Sequence, residues 1–128
     1  LEMGFMHWKA ELLTEFTPYE TSLEPFVKME KDFVGKAALA AHEPKVKLVT
    51  LEIDSDLAPA HGGASVMLEG RVVGTVSSGD WGHRTGKNIA MAFVEKALAS
   101  EGQTFEVDVI GQMLPAKVIS TRIYSGSR

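Results

Sequence analysis

Alternating apolar and polar positions dominate the chain after Pro44. Val46–Ile53 alternates well enough to predict a strand with one solvent-facing side. Ser65–Leu68 and Arg71–Val76 flank Glu69-Gly70, an arrangement that predicts a hairpin with a tight turn. Further strands are predicted at Ile89–Val94 and at Thr104–Ile110, the latter pairing across Gly111-Gln112 with Leu114–Ser120. About six short strands with few helices favour an antiparallel barrel or sandwich.

Residues 1–44 have a different texture, with short and interrupted segments. Thr17-Pro18-Tyr-Glu20 combines a cap residue, a proline and an acid three positions after the cap, which predicts one helical turn. Pro25–Glu30 is predicted as a short strand, and the alanine-rich stretch Phe33–His42 as a helix capped by Asp32. These residues are too few to bury a core of their own. We therefore expect them to be the edge of another domain.

The most specific local pattern is Gly74–Ala90, which contains three closely spaced glycines before an apolar strand. Gly79, Gly82 and Gly86 predict a shaped loop between two strands, because glycine adopts positive φ at little cost. A phosphate-binding loop is not supported, since the glycine spacing is wrong and Asn88 stands where Ser or Thr is required. The stretch is predicted to provide shape and contact instead.

Composition narrows the classes of function. The 128 residues suffice for one domain, with 45% hydrophobic and 23% charged residues. The net charge of −4 argues against nucleic acid or an anionic membrane as the main partner, because both require clustered Lys and Arg. The absence of cysteine excludes disulfides, thiolate nucleophiles and cysteine-bound metals. No apolar run is long enough to span a bilayer.

No catalytic or metal-binding residue emerges from spacing alone. The four histidines do not form a metal-ligand pattern, and the serines lack a Gly-x-Ser-x-Gly elbow. Trp8 and Trp81 could each stack on a planar ligand, although packing is the commoner use of an aromatic side chain. Glu2, between two apolar residues, is on pattern alone typical of a surface glutamate at a strand end.

An ordered set of short segments resembles one family along nearly the whole chain. The segments are Leu1-Glu-Met-Gly-Phe, Trp8, Thr17-Pro-Tyr-Glu-Thr-Ser-Leu23, Lys31-Asp-Phe-Val-Gly-Lys-Ala-Ala-Leu39, Val73-Gly-Thr-Val-Ser-Ser-Gly79, Gly86-Lys-Asn-Ile-Ala90 and Pro115-Ala116. In this order they resemble the C-terminal part of the glycine-cleavage T-protein (aminomethyltransferase) family, which includes the folate-binding halves of dimethylglycine and sarcosine dehydrogenases. Trp8 and the Gly-His-Arg-Thr-Gly-Lys motif favour the dehydrogenase branch.

The resemblance implies an α+β, mainly β fold: residues 1–44 are the tail of a folate-binding α/β domain, and residues 45–128 form an antiparallel barrel of about six strands. It implies transfer of a one-carbon unit from an aminomethyl or N-methyl amine donor to tetrahydrofolate. The reacting-centre aspartate of the family has no counterpart here. We therefore expect a C-terminal fragment that is inactive and binds folate poorly on its own. Its expected partners are a missing N-terminal domain, which could carry FAD, and a small-molecule amine donor.

The resemblance also assigns site residues. Glu2 matches a glutamate that hydrogen-bonds the pterin ring, Lys31 lies near the position of a folate-contacting arginine, and Tyr124 matches a C-terminal aromatic near the folate. Trp8 is a further candidate for the cofactor site. Residues of second rank that are expected to line the cleft are Trp81, His83 and Arg84. Departures from the family are Lys9 and Leu23 in place of glycines, and Arg122 in place of proline.

Two other interpretations remain open from the sequence. One is a related folate-dependent demethylase, and the other is a non-catalytic folate-binding or structural module whose barrel braces a neighbouring domain. The expected location is the cytoplasm, or the mitochondrial matrix in a eukaryote.

Overall fold

Six antiparallel strands close into a barrel in the computed structural model, which describes residues 1–126. The strands run in the spatial order β1-β4-β3-β2-β5-β6. Their bounds are β1 Val46–Ile53, β2 Ser65–Leu68, β3 Arg71–Gly82, β4 Lys87–Glu95, β5 Thr104–Val109 and β6 Gln112–Ile119. Closure removes the free sheet edges that would otherwise invite aggregation. The predicted antiparallel barrel of about six strands is confirmed.

The barrel interior is filled by the inward half of each alternating strand. Leu51, Val66 and Val107 are wholly buried there, and they belong to one continuous apolar cluster to which all six strands contribute. In β4, by contrast, every residue from Asn88 to Val94 is buried. The reason is that the inner face of β4 meets the barrel core while its outer face is covered by the N-terminal segment.

Two of the hairpin turns are set by local chemistry. Glu69 and Gly70 have φ of 51° and 77°, and Ile110 and Gly111 have φ of 48° and 79°. Positive φ at both central residues is typical of the two-residue turns that match strand twist. The turn at Glu69-Gly70 is therefore as predicted, whereas the last hairpin turns one residue earlier than the predicted Gly111-Gln112.

The predicted connection between two strands is present within Gly74–Ala90, but it is shorter than predicted because residues 77–82 and 87–88 belong to the strands. Strand β3 continues to Gly82 and β4 begins at Lys87, which leaves only residues 83–86 as the connection. A Cβ atom at Gly79 would lie 2.2 Å from the Ala60 carbonyl oxygen. Glycine is needed there for close approach of two backbones, and only Gly86 of the three has a positive φ, of 66°.

The N-terminal segment is held by turns more than by regular structure. The turn after Thr17 forms as predicted, with the Glu20 carboxylate accepting the Thr17 N–H at 2.7 Å. The helix is shorter than expected: α1 spans Lys36–Ala41 and follows Gly35, whose φ of 88° ends the preceding turn. No strand forms at Pro25–Glu30, where a 3-10 turn over Glu24–Phe26 stands instead.

A second apolar cluster joins this segment to the outside of the barrel. Leu48, Met91 and Phe93 form its buried part, and Phe16 stacks on Phe93 with ring centroids 3.8 Å apart. The Leu48 N–H also donates to the Glu20 carbonyl at 2.7 Å, which extends the contact to β1. Within residues 1–126, no helix has the length and apolar character to cross a membrane.

Candidate functional site

Glu2 connects the start of the chain to two other parts of the molecule. Its Oε1 accepts hydrogen bonds from the N–H groups of Arg84 at 3.0 Å and Thr85 at 2.7 Å, and from the Thr85 hydroxyl at 2.8 Å. Its backbone carbonyl accepts the N–H groups of Ile123 at 3.1 Å and Tyr124 at 3.0 Å. The β3–β4 turn and the C-terminal stretch therefore meet at one carboxylate.

The surroundings of Glu2 favour its charged form. Desolvation acts to raise the pKa of the carboxyl group, but the hydrogen bonds from Thr85 and Arg84 and the positive charge of Arg84 outweigh it. The pKa is therefore lowered from its ordinary value. Glu2 is an anion at neutral pH, ready to accept hydrogen bonds.

Gly82 allows the carboxylate to lie against the turn. A Cβ atom at this position would lie 2.5 Å from the Thr85 hydroxyl oxygen and 3.0 Å from Glu2 Oε1. The Gly82 carbonyl also accepts the Gly86 N–H at 2.7 Å, which closes the turn. A side chain at residue 82 would force Thr85, Ile89 or the Glu2 carboxylate to shift.

Arg84 and Tyr124 form a pair beside Glu2. Arg84 Nη1 donates to the Tyr124 hydroxyl at 2.7 Å, and the guanidinium carbon lies 4.9 Å from the centre of the Tyr124 ring. Such a cation over an aromatic face is attractive and restrains both side chains. Three of the residues singled out from the sequence, Glu2, Arg84 and Tyr124, thus lie together.

The other predicted residues do not enter this hydrogen-bonded group. Trp8 is 70% exposed and lines a separate cavity of about 410 Å³ with Leu12 and Phe16. Lys31 and His83 are exposed, and within residues 1–126 neither side chain makes a hydrogen bond or ion pair. Trp81 is half-buried, and its backbone N–H donates to Asp80 at 2.7 Å.

A cavity of about 510 Å³ opens on the barrel side of the N-terminal segment, two residues beyond Glu2. Its walls are mainly apolar and include Phe5, Met6, Leu12, Leu23, Phe26 and Leu48. Thr50 also lines it, is 1% exposed, and has a hydroxyl oxygen without a hydrogen-bond partner among the described residues. The N-terminal segment therefore carries both the held carboxylate of Glu2 and, from Gly4 onward, one wall of a mainly apolar cavity.

Replacing Thr50 with Val is expected to stabilise the fold by about 1 kcal/mol, because it removes a buried polar group that makes no hydrogen bond and keeps the side-chain shape. Urea unfolding followed by circular dichroism measures the change. Thr104→Val, at an exposed position of β5, is the control and should leave stability within about 0.5 kcal/mol of the parent. A loss of stability in Thr50→Val would show that the hydroxyl has a stabilising partner.

Glu11 is the functional candidate that sequence reasoning missed. It is 1% exposed, and its Oε1 accepts the hydroxyl groups of Ser77 at 2.6 Å and Ser78 at 2.5 Å. Its Oε2 accepts a hydrogen bond from the backbone N–H of His7 at 2.7 Å. The one local signal was an acid within the apolar run Ala-Glu-Leu-Leu, and that signal says nothing about serines 66 and 67 positions away.

A third carboxylate, Glu20, makes stability depend on pH. Burial acts to raise its pKa, but hydrogen bonds from Thr17 and His42 and the charge of His42 hold it below the ordinary value of 4.5. A lowered folded-state pKa stabilises the fold above the unfolded-state value, and this stabilisation is lost as pH falls through the folded-state pKa. The thermal unfolding midpoint should therefore decrease as the pH is lowered below 4.5, and Glu20→Gln should make that decrease less steep. An equally steep fall in Glu20→Gln would contradict the assignment, and Glu101→Gln, at an exposed site, is the control.

Among residues 1–126, no cluster of three or more His, Cys, Asp or Glu side chains is placed to hold a metal ion. The described part of the chain offers hydrogen-bonding and apolar surfaces at this site.

Comparison with known proteins identifies relatives of two named kinds. Residues 47–125 match the family described as the glycine cleavage T-protein C-terminal barrel domain. An aminomethyltransferase of Saccharopolyspora erythraea is 39% identical over 129 residues, covering 97% of this chain and 35% of the relative. The mitochondrial dimethylglycine dehydrogenase of Mus musculus is 36% identical over 124 residues, covering 93% of this chain and 14% of the relative.

The fold has a solved counterpart. The glycine cleavage system aminomethyltransferase T from Bartonella henselae superposes with a TM-score of 0.89 at 24% identity, over 96% of this chain and 36% of that one. At this identity the similarity concerns the fold alone. The chain spans about a third or less of the length of each of these three proteins.

Proposed function

The chain belongs to the glycine cleavage T-protein C-terminal barrel family, and on that premise we propose that it forms the C-terminal part of a tetrahydrofolate-dependent enzyme that handles one-carbon units. The donor would be an aminomethyl or N-methyl amine, as in an aminomethyltransferase or a dimethylglycine dehydrogenase. The partner for residues 1–44 would be a folate-binding α/β domain of the same polypeptide. A dehydrogenase parent would carry FAD on that other part and, in a eukaryote, would lie in mitochondria.

The observation that carries the proposal is the ionised Glu2 carboxylate, which is held by hydrogen bonds from the β3–β4 turn. Three donors fix Oε1, while Oε2 receives no hydrogen bond from residues 1–126. The aminopyrimidine edge of a reduced folate presents N–H groups, and an ionised carboxylate is a strong acceptor for them. Glu2 therefore fits the folate ring through Oε2.

The same geometry limits the contact that Glu2 can make. A two-point contact would require Oε1 to release at least one of its donors from Arg84 or Thr85. We therefore expect a single strong hydrogen bond from the ligand to Oε2, with the β3–β4 turn acting as the support that orients the carboxylate. Arg84 lies over the Tyr124 ring beside this carboxylate, which restrains both side chains.

Tetrahydrofolate supplies the nitrogen that accepts the one-carbon unit. In this proposal the described residues bind and orient: Glu2 anchors the ring, and the hydrogen bonds from Thr85 and Arg84 keep Glu2 ionised. The catalytic acid or base belongs to the part of the enzyme that this chain does not contain.

A chimaeric enzyme tests the proposal. In the Saccharopolyspora erythraea aminomethyltransferase, the stretch that matches this chain is replaced by residues 1–128. Folate-dependent aminomethyl transfer is expected to persist, and Glu2→Gln should raise the KM for tetrahydrofolate about tenfold, because the amide is a weaker acceptor than the anion. Glu101→Gln is the control and should leave the KM unchanged.

A chimaera that folds but does not bind tetrahydrofolate would contradict the proposal, as would a Glu2→Gln chimaera with an unchanged KM. For the chain alone, calorimetry should detect no binding at micromolar affinity, because the other walls of the pocket are absent. Micromolar binding by the isolated chain would overturn that expectation.

A further inference from the structure

We infer that Glu11 is a positioning residue: together with Ser77 and Ser78 it fixes the cavity wall formed by residues 3–12 against strand β3. Its consequence for ligand binding rests on the proposed function, whereas its consequence for the order of the wall does not.

Glu11 accepts hydrogen bonds from both sides of the contact between the N-terminal segment and strand β3. Ser77 and Ser78 donate to one oxygen from β3, and the His7 N–H donates to the other from the N-terminal segment. The Ser77 oxygen also lies 3.1 Å from the Met91 carbonyl, so its single proton is shared between two acceptors. The carboxylate thus ties a loop that has little regular structure to two neighbouring strands.

A buried carboxylate is costly unless its lone pairs are filled, and an apolar residue would fill the same space without that cost. What an apolar residue would not do is require three donors at particular places. Glu11 therefore selects one register of the segment on β3, since any shift breaks the hydrogen bonds of the buried carboxylate with Ser77 and Ser78.

The position of Glu11 in the chain shows which residues it holds. Glu2 fastens the beginning of the stretch to the β3–β4 turn, and Glu11 fastens its end nine residues later. Between them lie Gly4, Phe5 and Met6, which line the 510 Å³ cavity, and Leu12 follows Glu11 into the same wall. Removing the hydrogen bonds of Glu11 would loosen this wall of the cavity without altering any group that donates a hydrogen bond to Glu2.

Packing alone does not account for the order of this stretch. Phe5 is 72% exposed and Met3 is 37% exposed, so burial of these two side chains anchors it weakly. Met6 packs against the cluster of Leu48, Met91 and Phe93, and the polar attachments at the two ends hold the rest of the wall, which is why a change at the buried end is expected to reach the ligand site.

Amide hydrogen exchange on the full chain tests the order of the wall. In Glu11→Gln, the hydrogen-bonded amides of Gly4, Ala10 and Leu12 should exchange about tenfold faster, while amides of the β5–β6 hairpin stay within about twofold of the parent. Glu15→Gln, at an exposed site four residues on, is the matched control. Ser78→Ala removes one donor and serves as a milder variant if Glu11→Gln does not fold. Unchanged exchange of the wall amides in the folded variants would overturn the inference.

The chimaeric enzyme then separates this inference from the proposed function. Glu11→Gln should raise the KM for tetrahydrofolate about tenfold and leave kcat within about twofold, since Glu11 acts through the wall and does not touch the reacting atoms. An unchanged KM with a loosened wall would refute the effect on the ligand site. If the parent chimaera does not bind tetrahydrofolate, the proposed function fails, and the exchange measurement alone decides whether Glu11 orders the wall.

Discussion

Gly79→Ala is expected to destabilise the barrel by about 3 kcal/mol, because the added methyl group would overlap the Ala60 backbone, and overpacking at rigid positions is costly. The Cβ position lies 2.2 Å from the Ala60 carbonyl oxygen, a backbone atom that no side-chain rotation can move. Relief requires the β1–β2 connection to lift away from β3. Urea unfolding monitored by circular dichroism gives the loss directly.

Gly86→Ala is the matched control for that variant. Gly86 has a φ of 66°, and a methyl group added there would meet no heavy atom within 4 Å, so its cost is conformational, about 1 kcal/mol. Equal losses of stability in Gly79→Ala and Gly86→Ala would contradict the explanation that Gly79 is required for close approach of two backbones.

Phe93→Ala is expected to cost about 3 to 4 kcal/mol, because it leaves a cavity where a large ring is buried. Phe93 is 8% exposed and stacks on Phe16 with an interplanar angle of 13°. It lies on the outer face of β4, so the variant should release the N-terminal segment before the barrel itself unfolds.

Thermal unfolding measures this order of events when Trp8 fluorescence reports on the N-terminal segment and circular dichroism reports on the barrel. Phe26→Ala serves as the control, because Phe26 is 78% exposed and its loss should change stability by less than about 0.5 kcal/mol. A single cooperative transition with no loss of stability in Phe93→Ala would show that the stacked pair does not attach the segment.

The strands were predictable because their signals are local. Period-two alternation identified β1 and β5, and the Glu69-Gly70 pair placed a hairpin turn correctly. The errors arose where a local pattern has two meanings. Glycines in β3 suggested a loop, yet Gly79 and Gly82 are glycine because other atoms lie close to them.

The candidate site was predictable only in part. Resemblance to a family drew attention to Glu2 and Tyr124, and the structure places both beside Arg84; their roles in binding folate remain predictions. Glu11 was not found, because no sequence pattern pairs it with Ser77 and Ser78 across more than sixty intervening residues.

The sequence by itself indicated about six strands, their approximate positions and the hairpin turn at Glu69-Gly70, since alternation and turn chemistry act between neighbours in the chain. Only the tertiary structure decided the closure of the barrel, the burial of β4 on both faces and the attachment of the N-terminal segment by Glu2 and Glu11. These features depend on contacts between distant residues, and a hydrogen bond or a close backbone approach of that kind leaves no periodic trace in the sequence.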